Sequence, residues 1–142
     1  LVPSLLAEDV VAQLAKVIDN IQICAPRVAQ HALTPMLSSM TSWRQENRKR
    51  IAARVTAFRT AMDDLPGWDL LSSGAYFGYV RHPFTGVGSR QIAETMARKS
   101  GVLVIPGAFF GAGQEGALRF AFANAGRDVI AKLAGRLSSL TL

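Results

Sequence analysis

Residues 101–124, GVLVIPGAFFGAGQEGALRFAFAN, leave the chain few ways to fold. A short apolar strand, expected over 102–105, runs into a Pro-Gly turn and a glycine-rich loop, and a second strand over 117–123 follows. Side chains alternate along a strand with period 2. Leu118, Phe120 and Phe122 therefore share one face, and Arg119, Ala121 and Ala123 share the other. A lone guanidinium among alanines suits a pocket in which small neighbours leave room for a flat anion. Its rigid fork of donors matches a carboxylate bidentately. Arg119 is a candidate carboxylate anchor on this pattern; the alternative is an edge-strand arginine paired with a surface acid.

The remainder reads as an α/β order. Ser4 can cap a helix with Glu8 and Asp9 in its first turn, the sign favoured near the positive end of the dipole. Val10, Leu14, Val17, Ile18 and Ile21 follow helical spacing. Pro26 breaks that helix or opens the next, and Pro35 interrupts again. Ser42 and Gln45 have capping-box spacing and open the longest helix, whose stripe runs through Trp43, Asn47, Ile51, Val55, Phe58, Met62 and Leu65. Pro66-Gly67 ends it. A strand over 74–82, GAYFGYVRH, is bounded by turn residues. A helix over 89–100 turns Ile92, Ala93, Met96 and Ala97 inward, and Gly101 stops it. A final helix after Asn124 puts Val129, Ile130, Leu133, Leu137 and Leu140 on one face. The fold class implied is α/β, with an α+β small domain: a small, largely antiparallel sheet with helices packed on one face.

Composition removes some function classes. With 142 residues, 49% of them hydrophobic, the chain can bury one core. The net charge of +6 permits phosphate or acidic ligands without requiring them. Cys24 is the single cysteine, so there is no intrachain disulfide and no cysteine metal cage, and a reducing compartment is the natural inference. No apolar run reaches the roughly 18 residues of a membrane span. The opening LVPSLLAEDVV has neither an initiator methionine nor a basic n-region, as expected of the middle of a larger protein.

Several constellations carry little chemistry. Arg44, Arg48, Lys49, Arg50, Arg54 and Arg59 lie on the outer face of the long helix with Glu46, Asp63 and Asp64 among them, which reads as a solvated face rather than a nucleic-acid footprint. Gly107, Gly111, Gly113 and Gly116 lack the Gly-Lys-Ser/Thr step of a phosphate loop and lead into a strand. His31 and His82 have no acid spaced to join them on a metal. His31 reads as a packed histidine and Cys24 as small core filler.

The order QICAPRVAQ, SWRQENRKRI, GAYFGYV, GVLVIPGAFFGAGQEG and LRFAFANA resembles the C-terminal part of class I/II aminotransferases, pyridoxal-phosphate enzymes of the aspartate-aminotransferase type (fold type I). The resemblance covers nearly the whole chain. It implies that residues 1–40 end the large cofactor domain and residues 41–142 form the small domain, so that helices from the end of the large domain precede the sheet. It implies that Arg119 binds the α-carboxylate of the amino-acid substrate, and that an aromatic of the Gly-x-aromatic strand, Tyr76 or else Phe77, looks toward the substrate side chain; Tyr76 is preferred. Phe109 and Phe110 either close over the ligand or pack under the loop.

The cofactor implied is pyridoxal 5'-phosphate. The resemblance further implies an amino acid and a 2-oxo acid as substrates and a cytoplasmic homodimer, with no nucleic-acid or membrane partner expected. In the family the Schiff-base lysine and most of the phosphate cup lie upstream of the segment matched here. Lys16, Lys49, Lys99 and Lys132 all fall on amphipathic helices at solvent-facing positions, so the segment alone is expected to hold no catalytic and no cofactor-binding residue and to be inactive. Two other readings stand beside this one: a non-catalytic ligand-binding or interaction module of the same small-domain fold, and a nucleic-acid-binding domain built on the basic helix.

Overall fold

Proline and glycine positions set most of the element boundaries in the computed structural model of the chain, which describes residues 8–24 and 26–141. The Ser4 cap read from the sequence lies outside them. Helix α1 (Glu8–Ile21) carries Glu8 and Asp9 in its first turn, and α2 (Arg27–Ser39) begins directly after Pro26. Pro35 does not interrupt α2; it sits inside it. It has no N–H to give the carbonyl four residues back. Neither α1 nor α2 buries a residue, and the apolar stripe of α1 is exposed from Val10 to Ile21. Two helices alone are too little chain to enclose a core. His31 and Cys24, read as packed, are exposed for the same reason.

Helix α3 (Thr41–Asp63) follows a one-residue turn at Met40, so Ser42 lies within the helix and not at its cap. By packing, the chain divides after Arg44 into two compact units. The second unit holds the rest of α3 and all of the sheet. Only the C-terminal half of the α3 stripe reaches the core, through Phe58 and Met62, with Leu65 just past the helix end; Trp43 is exposed.

The sheet has four strands in the order β1–β2–β4–β3, all antiparallel. The single strand expected over 74–82 is the second arm of a hairpin: β1 (Asp69–Gly74) pairs with β2 (Phe77–Arg81) across a turn at Ala75-Tyr76. Ala75 adopts φ 48° there, a left-handed conformation that usually selects glycine, which is why the turn escapes notice in the sequence. Helix α4 (Ser89–Thr95) ends in a π turn over Met96–Ser100, stopped by Gly101 at φ 63° as expected; Ala97 points outward. Strand β3 is only Ile105–Pro106, because the Pro106 nitrogen cannot extend the ladder. Strand β4 is Ala117–Phe120, after which the chain tightens into a 3₁₀ turn over Phe122–Asn124. The last helix is two short ones, α5 (Arg127–Ile130) and α6 (Leu133–Ser138), and Val129 is exposed. Nothing in the sequence at Ala131-Lys132 marks that break.

The core lies on one face of the sheet. Val80, Ile92, Met96, Leu118, Phe120 and Leu137 are all buried there against Phe58 and Met62. Phe58 sits so close to β2 that a Cβ on Gly78 would meet its Cζ at 2.8 Å and its Cε1 closer still. Gly78→Ala is therefore expected to destabilise the fold by about 1–3 kcal/mol through overpacking. Chemical denaturation of the chain checks this, and an unmoved midpoint would contradict the close approach.

Candidate functional site

The face of the sheet away from the core carries Arg119. Core contacts fix the parity: Leu118 and Phe120 on β4, and Gly78 and Val80 on β2, are buried, so Arg119, Phe77 and Tyr79 face the other way. Arg119 is held in a middle strand, paired with Tyr79 on one side and Ile105 on the other. It is not on an edge strand.

Its surroundings are aromatic. The guanidinium carbon lies 4.3 Å from the ring centroid of Phe77 and 4.7 Å from that of Phe110. Ring faces attract a cation through their quadrupole, by about 0.5–2 kcal/mol depending on desolvation. Among the described residues the ion pairs are Arg50–Glu46, Arg81–Asp69 and Arg98–Glu94, so no carboxylate meets Arg119. Its Nε–H is buried and has no acceptor among the described residues. A planar cation that is half-buried, oriented by rings and short of an acceptor can take a flat anion in two parallel hydrogen bonds.

Tyr76 and Phe77 part company at the hairpin. Tyr76 occupies the turn and is exposed, its ring edge-on to that of Phe77 at 6.5 Å. Phe77, on the strand, is the one that touches Arg119. Neither ring is buried, and Tyr76 is not in the strand. Phe110 lies against Arg119, whereas Phe109 stacks under the exposed Arg90, 5.1 Å away. Sequence reading missed Phe77 and Tyr79 as neighbours of Arg119. Correct placement of the turn at Ala75-Tyr76 would have put them on its face.

The glycine-rich loop over 107–116 is tied down at both ends. The Ala108 N–H donates to the fully buried Ser89 hydroxyl at 3.1 Å, the Ser89 N–H to the Glu115 carbonyl at 2.7 Å, and the His82 N–H to the Gly116 carbonyl at 3.1 Å. The Tyr79 hydroxyl donates to Gln114 Oε1 at 2.7 Å. Burial, with the Glu115 carboxylate second, pushes the Tyr79 phenol above its ordinary range, so it remains a donor. Two members of the basic helix are also committed within the fold: Arg54 donates to the Ala123 carbonyl at 2.6 Å, and Arg59 to the Ser73 hydroxyl at 2.9 Å. The clefts of about 640 Å³ beside Thr60 and about 420 Å³ beside His82 are lined by other residues than Arg119. Among the described residues no cluster of His, Cys, Asp and Glu could hold a metal, and no helix is long and apolar enough to cross a membrane.

His82 gives a pH signature. Its ring is buried, Nε2 lies 3.3 Å from the Glu115 carbonyl and Nδ1 has no partner among the described residues. A second proton would sit on Nδ1 with nothing to receive it. Burial accordingly holds the imidazole below its ordinary value of 6.5, and the bond to the Glu115 carbonyl offsets this only in part. As pH falls through that value the unfolded chain takes up its proton first, so stability present above it is lost as pH drops through the lower, folded value. The melting temperature should fall between about pH 7.5 and about pH 5 more steeply in the wild type than in His82→Gln. Parallel profiles would contradict the assignment.

Comparison with known proteins follows the same lines. The profile of the family described as Aminotransferase class I and II matches residues 4–137. The chain is similar to an aromatic-amino-acid aminotransferase of Thermococcus litoralis, 27% identical over 104 residues, and to an aspartate aminotransferase of Pyrococcus abyssi, 28% identical over 104 residues; each alignment covers 72% of this chain and 27% of the relative. The chain thus spans about a quarter of the length of these curated relatives. Among solved structures it resembles an α-aminoadipate aminotransferase of Thermus thermophilus complexed with N-(5'-phosphopyridoxyl)-L-leucine, with TM-score 0.72 and 23% identity over 93% of this chain and 35% of that one. It also resembles a Methanococcus jannaschii protein with an active site similar to kynurenine aminotransferases, with TM-score 0.69 and 21% identity over 92% of this chain and 34% of that one.

Proposed function

The chain belongs to the class I and II aminotransferases, and from that premise we propose that it forms the C-terminal part of a pyridoxal-phosphate-dependent transaminase in which Arg119 receives the α-carboxylate of the amino-acid substrate. Residues 1–40 end the large domain in this reading and residues 41–142 are the small domain. One observation carries the anchor assignment: the Arg119 guanidinium lies against two rings on the face of the sheet away from the core, and among the described residues no acid pairs with it and its Nε–H has no acceptor. An arginine that served only to hold the sheet would be expected to have such an acid.

The residues of this chain do not fit the cofactor's covalent attachment. Lys16, Lys49, Lys99 and Lys132 are all exposed on helices or the turns that join them, and Lys99 donates to the Thr141 carbonyl at 2.8 Å. None is desolvated, as a lysine must be to act as a neutral nucleophile near pH 7. The part of this segment is therefore recognition: it binds and orients the carboxylate, while the lysine and the cofactor's phosphate site come from outside it. In this reading Tyr76, which is exposed at the hairpin turn, looks toward the substrate side chain. The complete enzyme is a cytoplasmic homodimer acting on an amino acid and a 2-oxo acid, and the segment alone is inactive.

The test belongs in the full-length enzyme. Arg119→Lys keeps the charge and loses the planar fork, and Arg119→Ala loses both. Each should lower kcat/KM for amino acids, by about 2–5 kcal/mol in Arg119→Ala, and leave turnover of amines lacking the carboxylate little changed. Equal losses on both substrate classes, with a lower melting temperature, would mean that Arg119 holds the sheet instead.

A further inference from the structure

Tyr79 is the cross-strand neighbour of Arg119, and both ends of the glycine-rich loop converge on its phenol. Near the C-terminal end of the loop, Gln114 Oε1 accepts from the Tyr79 hydroxyl at 2.7 Å. At the N-terminal end, a Cβ on Gly107 would meet that hydroxyl at 2.9 Å, the Ala117 carbonyl at 2.5 Å and the Gln114 carbonyl closer still. Between these points the loop carries Phe110, whose ring stands edge-on to that of Tyr79 with centroids 6.2 Å apart and lies against the Arg119 guanidinium. Among the described residues, Tyr79–Gln114 is the only hydrogen bond joining a side chain of this loop to another side chain; the other ties run through the loop's backbone.

We infer that Tyr79 and Gln114 are positioning residues: their hydrogen bond latches the loop so that Phe110 lies on Arg119 and fixes the direction in which the guanidinium fork meets a carboxylate. The inference rests on the reading of Arg119 as the anchor. The geometry leaves the latch little slack. Gly107 has no room for a side chain and the Ala108 N–H is tied to Ser89, so the stretch of the loop left to shift when the Gln114 arm is released is the one that carries Phe110. A bidentate pair depends on the orientation of both planes, so a guanidinium free to tilt keeps its charge but loses one of its two bonds.

The experiment uses the full-length enzyme with its cofactor and compares Tyr79→Phe, Gln114→Ala and the double variant with Arg119→Ala. The probes are the proteinogenic L-amino acid that the wild type turns over fastest and the amine formed by removing its carboxylate. Each single latch variant should raise KM for the amino acid about three- to tenfold, as expected for one lost hydrogen bond, with kcat and amine turnover within about twofold of wild type. The double variant should be no worse than the poorer single one, because both remove the same bond. Amides of the loop should exchange faster in Gln114→Ala. Unchanged KM, additive losses, or equal losses on amine and amino acid would overturn the latch. If Tyr79→Phe does not fold, Gln114→Ala decides alone, since its side chain lies on a loop. Should Arg119→Ala raise KM while the latch variants do not, the latch alone fails; should Arg119→Ala leave KM unchanged, the anchor reading beneath it fails.

Discussion

The contact on which the arrangement depends is that of the Phe58 ring with the backbone of Gly78. It leaves no room for a β-carbon, so the ring can come this close to β2 only because residue 78 is a glycine. The ring is also 5.5 Å from that of Phe120 and 5.3 Å from that of Phe122, which joins the long helix to the middle of the sheet and to the turn after it. Once Gly78 and Val80 face the core, parity sends Phe77 and Tyr79 to the opposite face. The β2–β4 register then sets Arg119 beside them. A slip of one residue in that register would put the guanidinium into the apolar core and Leu118 into solvent.

The Arg119 environment is costly for the chain taken alone. A buried donor without an acceptor costs on the order of 1–3 kcal/mol, and the two ring contacts recover a comparable amount. On the proposed reading the balance is met by a carboxylate ligand, and the rings serve mainly to hold the plane of the cation before that ligand arrives. Pre-orientation of this kind lowers the entropy lost on binding. The loop over 107–116 fits the same account, since its backbone is secured at Ser89 and His82, its Gln114 side chain is held by Tyr79, and it keeps Phe110 in place without an element of its own.

Much of this was legible in the sequence, and the failures have definite causes. Alternation along 117–120 isolated Arg119 because buried Leu and Phe leave no doubt about which face is core. Gly101 announced the end of α4 because a positive φ there favours glycine. The hairpin at Ala75-Tyr76 was hidden because an alanine occupies its left-handed position, and β1, with Ser72 and Ser73 in it, has little strand pattern of its own. That single omission put Tyr76 on a strand and separated Phe77 from Arg119. Pairings between distant segments, such as Tyr79 with Gln114, have no signature in local periodicity and become visible only once the loop is folded over the sheet. For α1, helical spacing gave the helix correctly but said nothing of burial, which depends on what packs against it; for α2, Pro35 reads as an interruption and is instead carried inside the helix.

The most direct measurement is a structure of the full-length enzyme with a bound carboxylate-bearing substrate analogue. The account requires both carboxylate oxygens to meet the Arg119 guanidinium in parallel hydrogen bonds of about 2.7–2.9 Å, with Phe77 and Phe110 still against it. A carboxylate bound elsewhere, or an acidic side chain of the protein paired with Arg119 in the presence of the analogue, would contradict it.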